Sequence, residues 1–214
     1  MKMNKNVLVF LFLIGSLISS AQNTATRKAK SDLDQETKAS QWVSSLNLKD
    51  SLKIERVEKL VSNHLKTIRD YHNSHPYTEV PEGINPKTGD KLTELDRRII
   101  AHSGKSPKIH ENLMSGLRRD LSEEEVNQIL DKHSVGKVSF TMKGYHAIVP
   151  DLSGKEETYI RELLERAREQ SIDFKNMEEI SAIFEIYKTK AENYLNANGR
   201  NWRQLYKDYA NRNK

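Results

Sequence analysis

Between Leu52 and Tyr71 the apolar residues Leu52, Val57, Leu60, Val61, Leu65, Ile68 and Tyr71 recur at helical spacing, and Lys53, Glu55, Glu58, Lys59 and Lys66 occupy the opposite side. That pattern predicts an amphipathic helix. Asp50 or Ser51 caps its start, and it ends near Ser74, because His75 precedes Pro76 and is disfavoured from helical geometry. A weaker helical signal runs before it through Trp42, Val43 and Leu46. Further on, Thr93 to Ala101 reads as a short helix, and Ser106 with Pro107 opens another that reaches Leu117. Ser122 with Glu125, Ser153 with Glu156 and Asn176 with Glu179 each carry the spacing of a capping box and precede apolar periods. Gly199 closes the last of these as a C-terminal cap. Trp202, Leu205, Tyr206 and Tyr209 then form an aromatic stripe on a final helix.

Two stretches interrupt this periodicity. From Pro76 to Lys91 three prolines and two glycines are interspersed with Tyr77, Val80 and Ile84, which predicts a long ordered loop packed on the helices. From Gly136 to Pro150, Val138, Phe140 and Met142 alternate as in a strand, while Tyr145, Ile148 and Val149 suit a helical turn. With no second β segment to pair with, this stretch reads as an irregular, partly extended connection. The predicted fold is one all-α domain of about six or seven amphipathic helices, with the proline loop and that connection packed against them.

The N-terminus has a different character. Lys2 and Lys5 precede an apolar run from Val7 to Ile18, and Ser19, Ser20 and Ala21 follow as small residues, the order of a secretion signal cut after Ala21. The run is about 12 residues, short of the roughly 20 that span a bilayer, so no integral membrane segment is expected after cleavage. Residues 22–33 are polar and basic without an apolar period and read as a disordered leader, leaving 34–214 as the domain. The expected location is exported, either periplasmic or secreted.

Removing residues 1–21 takes away two lysines and lowers the formal charge from +5 to +3. That mild excess is no nucleic-acid signature. The chain has no cysteine, so stability rests on the core and not on disulfides. A chain of this size buries roughly 70% of its unfolded surface, enough for one core.

Candidate chemistry is sparse. Among seven histidines, His64, His72 and His75 share a helix, but nothing completes a zinc set, and favourable interaction with a helix C-terminus accounts for such placement. Tyr145 and His146, beside Lys143, have the residue types to abstract a proton next to a uronate carboxylate. As neighbours in an extended segment they would face opposite ways. Arg168 and Lys188 adjoin the apolar stripes of their helices, where an interhelical ion pair is the plainer reading. Trp202, Tyr206 and Tyr209 have faces that stack on sugars, although aromatics at helical spacing first suggest packing. No nucleophile elbow, phosphate loop, zinc-protease helix or calcium loop is present, and no cofactor or metal is implied.

Val135-Gly136-Lys137-Val138 to Tyr145, Ile148-Val149-Pro150-Asp151-Leu152, Ala167-Arg168-Glu169, Phe184-Glu185-Ile186-Tyr187-Lys188 and Tyr194-Leu195-Asn196 to Gly199-Arg200 together resemble a domain-of-unknown-function family, number 3826. The resemblance spans roughly residues 40 to 210 and is strongest from Val126 onward. It implies a setting, that of exported proteins from polysaccharide-degrading bacteria of the Bacteroidetes group, and it carries over no catalytic residue. The leading expectation is therefore a non-catalytic component of polysaccharide utilisation that binds an acidic glycan or a protein partner. Tyr77, Lys143, Tyr145, His146, Arg168 and Lys188 are the candidate ligand contacts. A small lyase-like enzyme using Tyr145 and His146, and a periplasmic helical chaperone, are the alternatives.

Overall fold

The structure is a computed structural model that describes residues 5–86 and 88–212, with the backbone alone for residues 5–24. Lys2, part of the expected export signal, lies outside the described residues. The first helix, α1 (Lys5–Ser44), leads to a turn in which Asn47 adopts a positive φ of 54°. Asp50 then accepts from the Leu52 and Lys53 N–H groups and opens α2 (Ser51–Ser74). A 3-10 turn (Tyr77–Glu79) starts the proline loop, and Thr93 with Asp96 forms a capping box for α3 (Glu94–Ser103). Pro107 begins α4 (Pro107–Asp120), where its missing N–H costs nothing. Reciprocal boxes at Ser122/Glu125 and Ser153/Glu156 open α5 (Glu123–Ser134) and α7 (Gly154–Ser171). Between them lies α6 (Lys137–Ile148), and α8 (Met177–Ala197) and α9 (Trp202–Arg212) complete the chain.

The described residues are helical apart from their connections and one isolated antiparallel bridge, Ile84 with Lys91. None of their helices is long and apolar enough to cross a membrane. The start of the proline loop lies against α3, held by polar contacts, while Ile84 of the loop is exposed. Arg97 donates from Nη2 to the Val80 and Thr78 carbonyls at 2.6 and 3.1 Å.

Three expectations need correction. Residues 22–33, read as a disordered leader, lie inside α1. This part of the helix carries no apolar period because charge holds it to α2: Arg69 Nη2 reaches Asp32 Oδ1 at 2.6 Å, and Lys28 reaches Asp70 at 3.3 Å. The connection 136–150 is not partly extended but contains α6. Val135 and Gly136 both take left-handed φ values, 53° and 65°, which breaks α5 from α6 and resets the helix phase. Val138, Met142 and Tyr145 are then buried on one side while Phe140 is 77% exposed, so the apparent alternation is a helical face sampled at three points. With that segment helical, nine α-helices stand among the described residues where six or seven were expected.

Two apolar clusters form the interior. Val43, Val61, Leu117 and Ile129 represent the one built by α1, α2, α4 and α5. Val138, Leu164, Phe184 and Leu195 represent the one built by α6, α7 and α8. The short link between α7 and α8 joins them, since Ile172 packs in the first and Phe174 in the second.

Candidate functional site

Lys143 and Tyr145 of α6 meet the sequence-distant Lys188 of α8 in a groove of about 630 Å3 bounded by α6, α8 and α9. The amphipathic stripe of α9 is too short to bury all its aromatics. Trp202 is half-buried against Tyr145, ring centres 5.3 Å apart, while Tyr206 is 54% exposed. Phe140 projects from α6 on the other wall, and Gly144 keeps the surface between them open, with no atom within 4 Å of where a Cβ would stand. The walls thus carry exposed aromatic faces, and two lysines stand beside them. Glu192 also lines the groove, its pKa raised by burial.

Tyr145 forms the floor, and its hydroxyl is engaged with the fold. Its hydroxyl donates to the Lys188 carbonyl at 3.3 Å, and burial pushes its pKa well above the ordinary tyrosine value. The Lys188 ammonium pairs with Glu185 at 2.8 Å, whereas Lys143 is exposed. His146 does not line this groove; its Nε2 lies 3.6 Å from Glu157 on α7. Arg168 is buried, donating from Nη1 to Asp131 at 3.1 Å and from Nη2 to Asn127 at 2.6 Å, which is the interhelical pairing that its position beside the stripe suggested. Tyr77 stands elsewhere again, under the Arg98 guanidinium at 4.4 Å. Of six candidate residues, three meet in the groove and three do not.

A second constellation escaped the sequence reading. Ser171, Ile172, Asp173 and Phe174 form a fully buried connection, an unusual place for a loop because its carbonyls need donors. Histidines supply them. His64 donates from Nε2 to Ile172 O at 3.2 Å, His72 to Asp173 O at 3.2 Å, and His133 to Ser171 O and Phe174 O at 3.1 and 2.9 Å. Burial drives the His133 and His102 pKa values down to about 4, which keeps both rings neutral. The histidines on α2 therefore serve the backbone of a distant connection, a role beyond the helix-end effect that spacing alone suggests. No group of three or more His, Asp or Glu with metal-holding geometry occurs among the described residues.

Asp173 itself gathers charge. His110 Nδ1 and Lys105 Nζ each lie 3.0 Å from its Oδ2, and His64 Nε2 lies 3.3 Å from Oδ1. Burial alone would raise this carboxyl, but the bonds from His110 and His64 and the nearby positive charge hold it far below the usual range. The bond to Asp173 in turn raises the His110 pKa against its own burial. An open cleft of about 970 Å3 lies above this cluster, lined by both signs of charge. Much of it is already paired, as in Arg118 with Glu169 at 2.9 Å.

Residues 33–214 match the family described as protein of unknown function, DUF3826. The chain belongs to this family. The match covers the second part of α1 and everything after it, so the groove and the buried histidine layer are both parts of the DUF3826 domain. It agrees with the family that the residue patterns from Val135 to Arg200 resemble. No curated protein matches the chain.

Proposed function

We propose that this DUF3826 protein is an exported, non-catalytic binding protein that holds an acidic glycan in the groove between α6, α8 and α9. The observation that carries the reading is the pairing of exposed aromatic faces, Phe140 and Tyr206, with the Lys143 ammonium, unpaired among the described residues, around an open floor. Sugar rings present C–H faces that stack on aromatics. A uronate carboxylate adds a charge-assisted hydrogen bond to a lysine, stronger than a neutral one. The signal-like N-terminus supports export, and the glycan-degrading setting of the family is consistent with the ligand. The lyase alternative loses support because Tyr145 is a buried hydrogen-bond donor and His146 lies outside the groove. The chaperone alternative needs a broad exposed apolar face, and beyond the groove the exposed large hydrophobics are dispersed over the helices.

Calorimetry of the chain without residues 1–21 against galacturonan fragments and a neutral glucan tests the reading. Binding to the acidic oligosaccharide that weakens with added salt and in Lys143→Ala supports it. Equal binding to both sugars that ignores salt, or no binding to either, leaves a protein partner as the better occupant.

A further inference from the structure

Three of the capping boxes obey one rule: the carboxylate three residues into the turn returns to the cap N–H, at 2.9 Å for Asp96, 2.8 Å for Glu125 and 2.9 Å for Glu156. Glu179 breaks it. Asn176 caps α8 through the Glu179 N–H at 2.9 Å, yet the Glu179 side chain turns inward, is 1% exposed, and reaches only Arg98 Nη1, at 3.4 Å from Oε1. Its Oε2 is buried with no hydrogen-bond partner. A carboxylate that leaves a ready local partner for an unsatisfied buried position is the kind of rule-breaking that marks a functional place.

That side chain lines a pocket of about 250 Å3 between the end of α2, the 3-10 turn, α3 and the start of α8. The pocket is smaller than the roughly 300–1,000 Å3 that enclose drug-sized ligands and suits a single sugar ring. It offers a second acceptor. His72 donates its Nε2–H to Asp173 O, and burial lowers its pKa, so Nδ1 carries the lone pair and takes no donor from the described residues. At the exposed side stands Lys175, whose ammonium is bonded only to Asn73 Oδ1, at 3.1 Å. Arg98 stacks on Tyr77 and spends its Nε and Nη2 on Glu94.

We propose that this pocket binds a small polyhydroxylated carboxylate of monosaccharide size, a sugar acid. Its hydroxyls donate to Glu179 Oε2 and His72 Nδ1, two acceptors of this pocket that take no donor from the described residues. Its carboxylate meets Lys175 at the mouth. A neutral sugar supplies the first set of contacts and lacks the second. A free amino acid supplies one ammonium to Glu179 but no further hydroxyl for His72. The site is separate from the groove of α6, α8 and α9, so it stands or falls independently of glycan binding there.

Ligand-observed NMR titration of the folded chain with D-glucuronic acid, D-glucose and L-alanine tests it. The expected result is glucuronate binding at least about tenfold tighter than glucose. Lys175→Ala, at an exposed position, should reduce glucuronate to the affinity of glucose, and Glu179→Gln should weaken both sugars, while Gly144→Leu in the groove changes neither. Glucuronate binding that survives Lys175→Ala, or that is abolished by Gly144→Leu, overturns the assignment. So does tighter binding of alanine, or no binding of glucuronate by the folded wild-type chain.

Discussion

His133 gives one imidazole N–H to two carbonyls of a buried link; its removal takes the side-chain donor from Phe174 O, while Ser171 O keeps the Phe174 N–H at 3.0 Å. An orphaned buried acceptor costs about 1–3 kcal/mol. His133→Ala should therefore lower stability by about 1–3 kcal/mol in urea titration, more than a surface substitution such as Glu162→Ala at under about 0.5 kcal/mol. The same rings set the acid limit of the fold. His102 and His133 have folded pKa values of about 4, below the ordinary histidine value of 6.5, so the unfolded chain binds their protons first. Their contribution to stability is full above about pH 6.5 and falls as the pH drops from there toward 4. Glu156, lowered to about 2 by the Arg200 bond, acts in a separate and more acidic window, below 4.5. His110 works the other way: its raised pKa contributes stability below 6.5 that is lost as the pH climbs through the raised value. A thermal midpoint followed against pH should thus drop between 6.5 and 4, and the drop should shrink in His133→Gln compared with its own neutral-pH value. None of these partners was legible from spacing, because α2 and α5 meet the 171–174 link only through tertiary packing. Glu179 was legible only as a capping residue, since nothing local reveals that its carboxylate turns away.

At the scale of elements the caps and apolar periods carried most of the fold. Asp50, Thr93, Ser122, Ser153 and Asn176 all accept N–H groups where their helices begin. The period failed at α6 because its exposed Phe140 fell between the buried Val138 and Met142 and imitated a strand. It failed again in the N-terminal part of α1, where ion pairs replace an apolar face. The junction before α6 also stores strain. Val135 holds a φ of 53° at an exposed helix end, a region that costs an L-residue about 1–2 kcal/mol and that a β-branched side chain tolerates poorly. Val135→Gly should raise stability by about 1 kcal/mol, read as a higher unfolding midpoint. By contrast, Phe184 is buried in the α6–α8 core, and Phe184→Ala should cost roughly 3–5 kcal/mol by the same measurement. Similar costs for Phe184→Ala and Glu162→Ala would mean that the inward face of α8 is misassigned.

Across the whole molecule two apolar cores meet at a polar link, and the surfaces that remain open lie where helices diverge around them. The aromatic groove forms because α9 leaves α8 after Gly199, in a left-handed conformation with φ 87°, and Arg200 then clamps the turn to α7 through Glu156 at 2.6 Å. That clamp fixes Trp202 over Tyr145 and exposes Tyr206. The sequence separately suggested the aromatic stripe and the Lys143 to Tyr145 segment, but only the fold places them on one surface and sends Arg168, His146 and Tyr77 elsewhere. Gly144 gives the most direct test, since a larger side chain there enters open space on a helix surface and fills the groove without displacing the core. Calorimetric titration of Gly144→Leu with galacturonan fragments, alongside wild type and with helicity checked by circular dichroism, should show wild-type binding lost while the helical spectrum is unchanged. Undiminished binding in the folded variant would contradict the placement of the glycan in this groove.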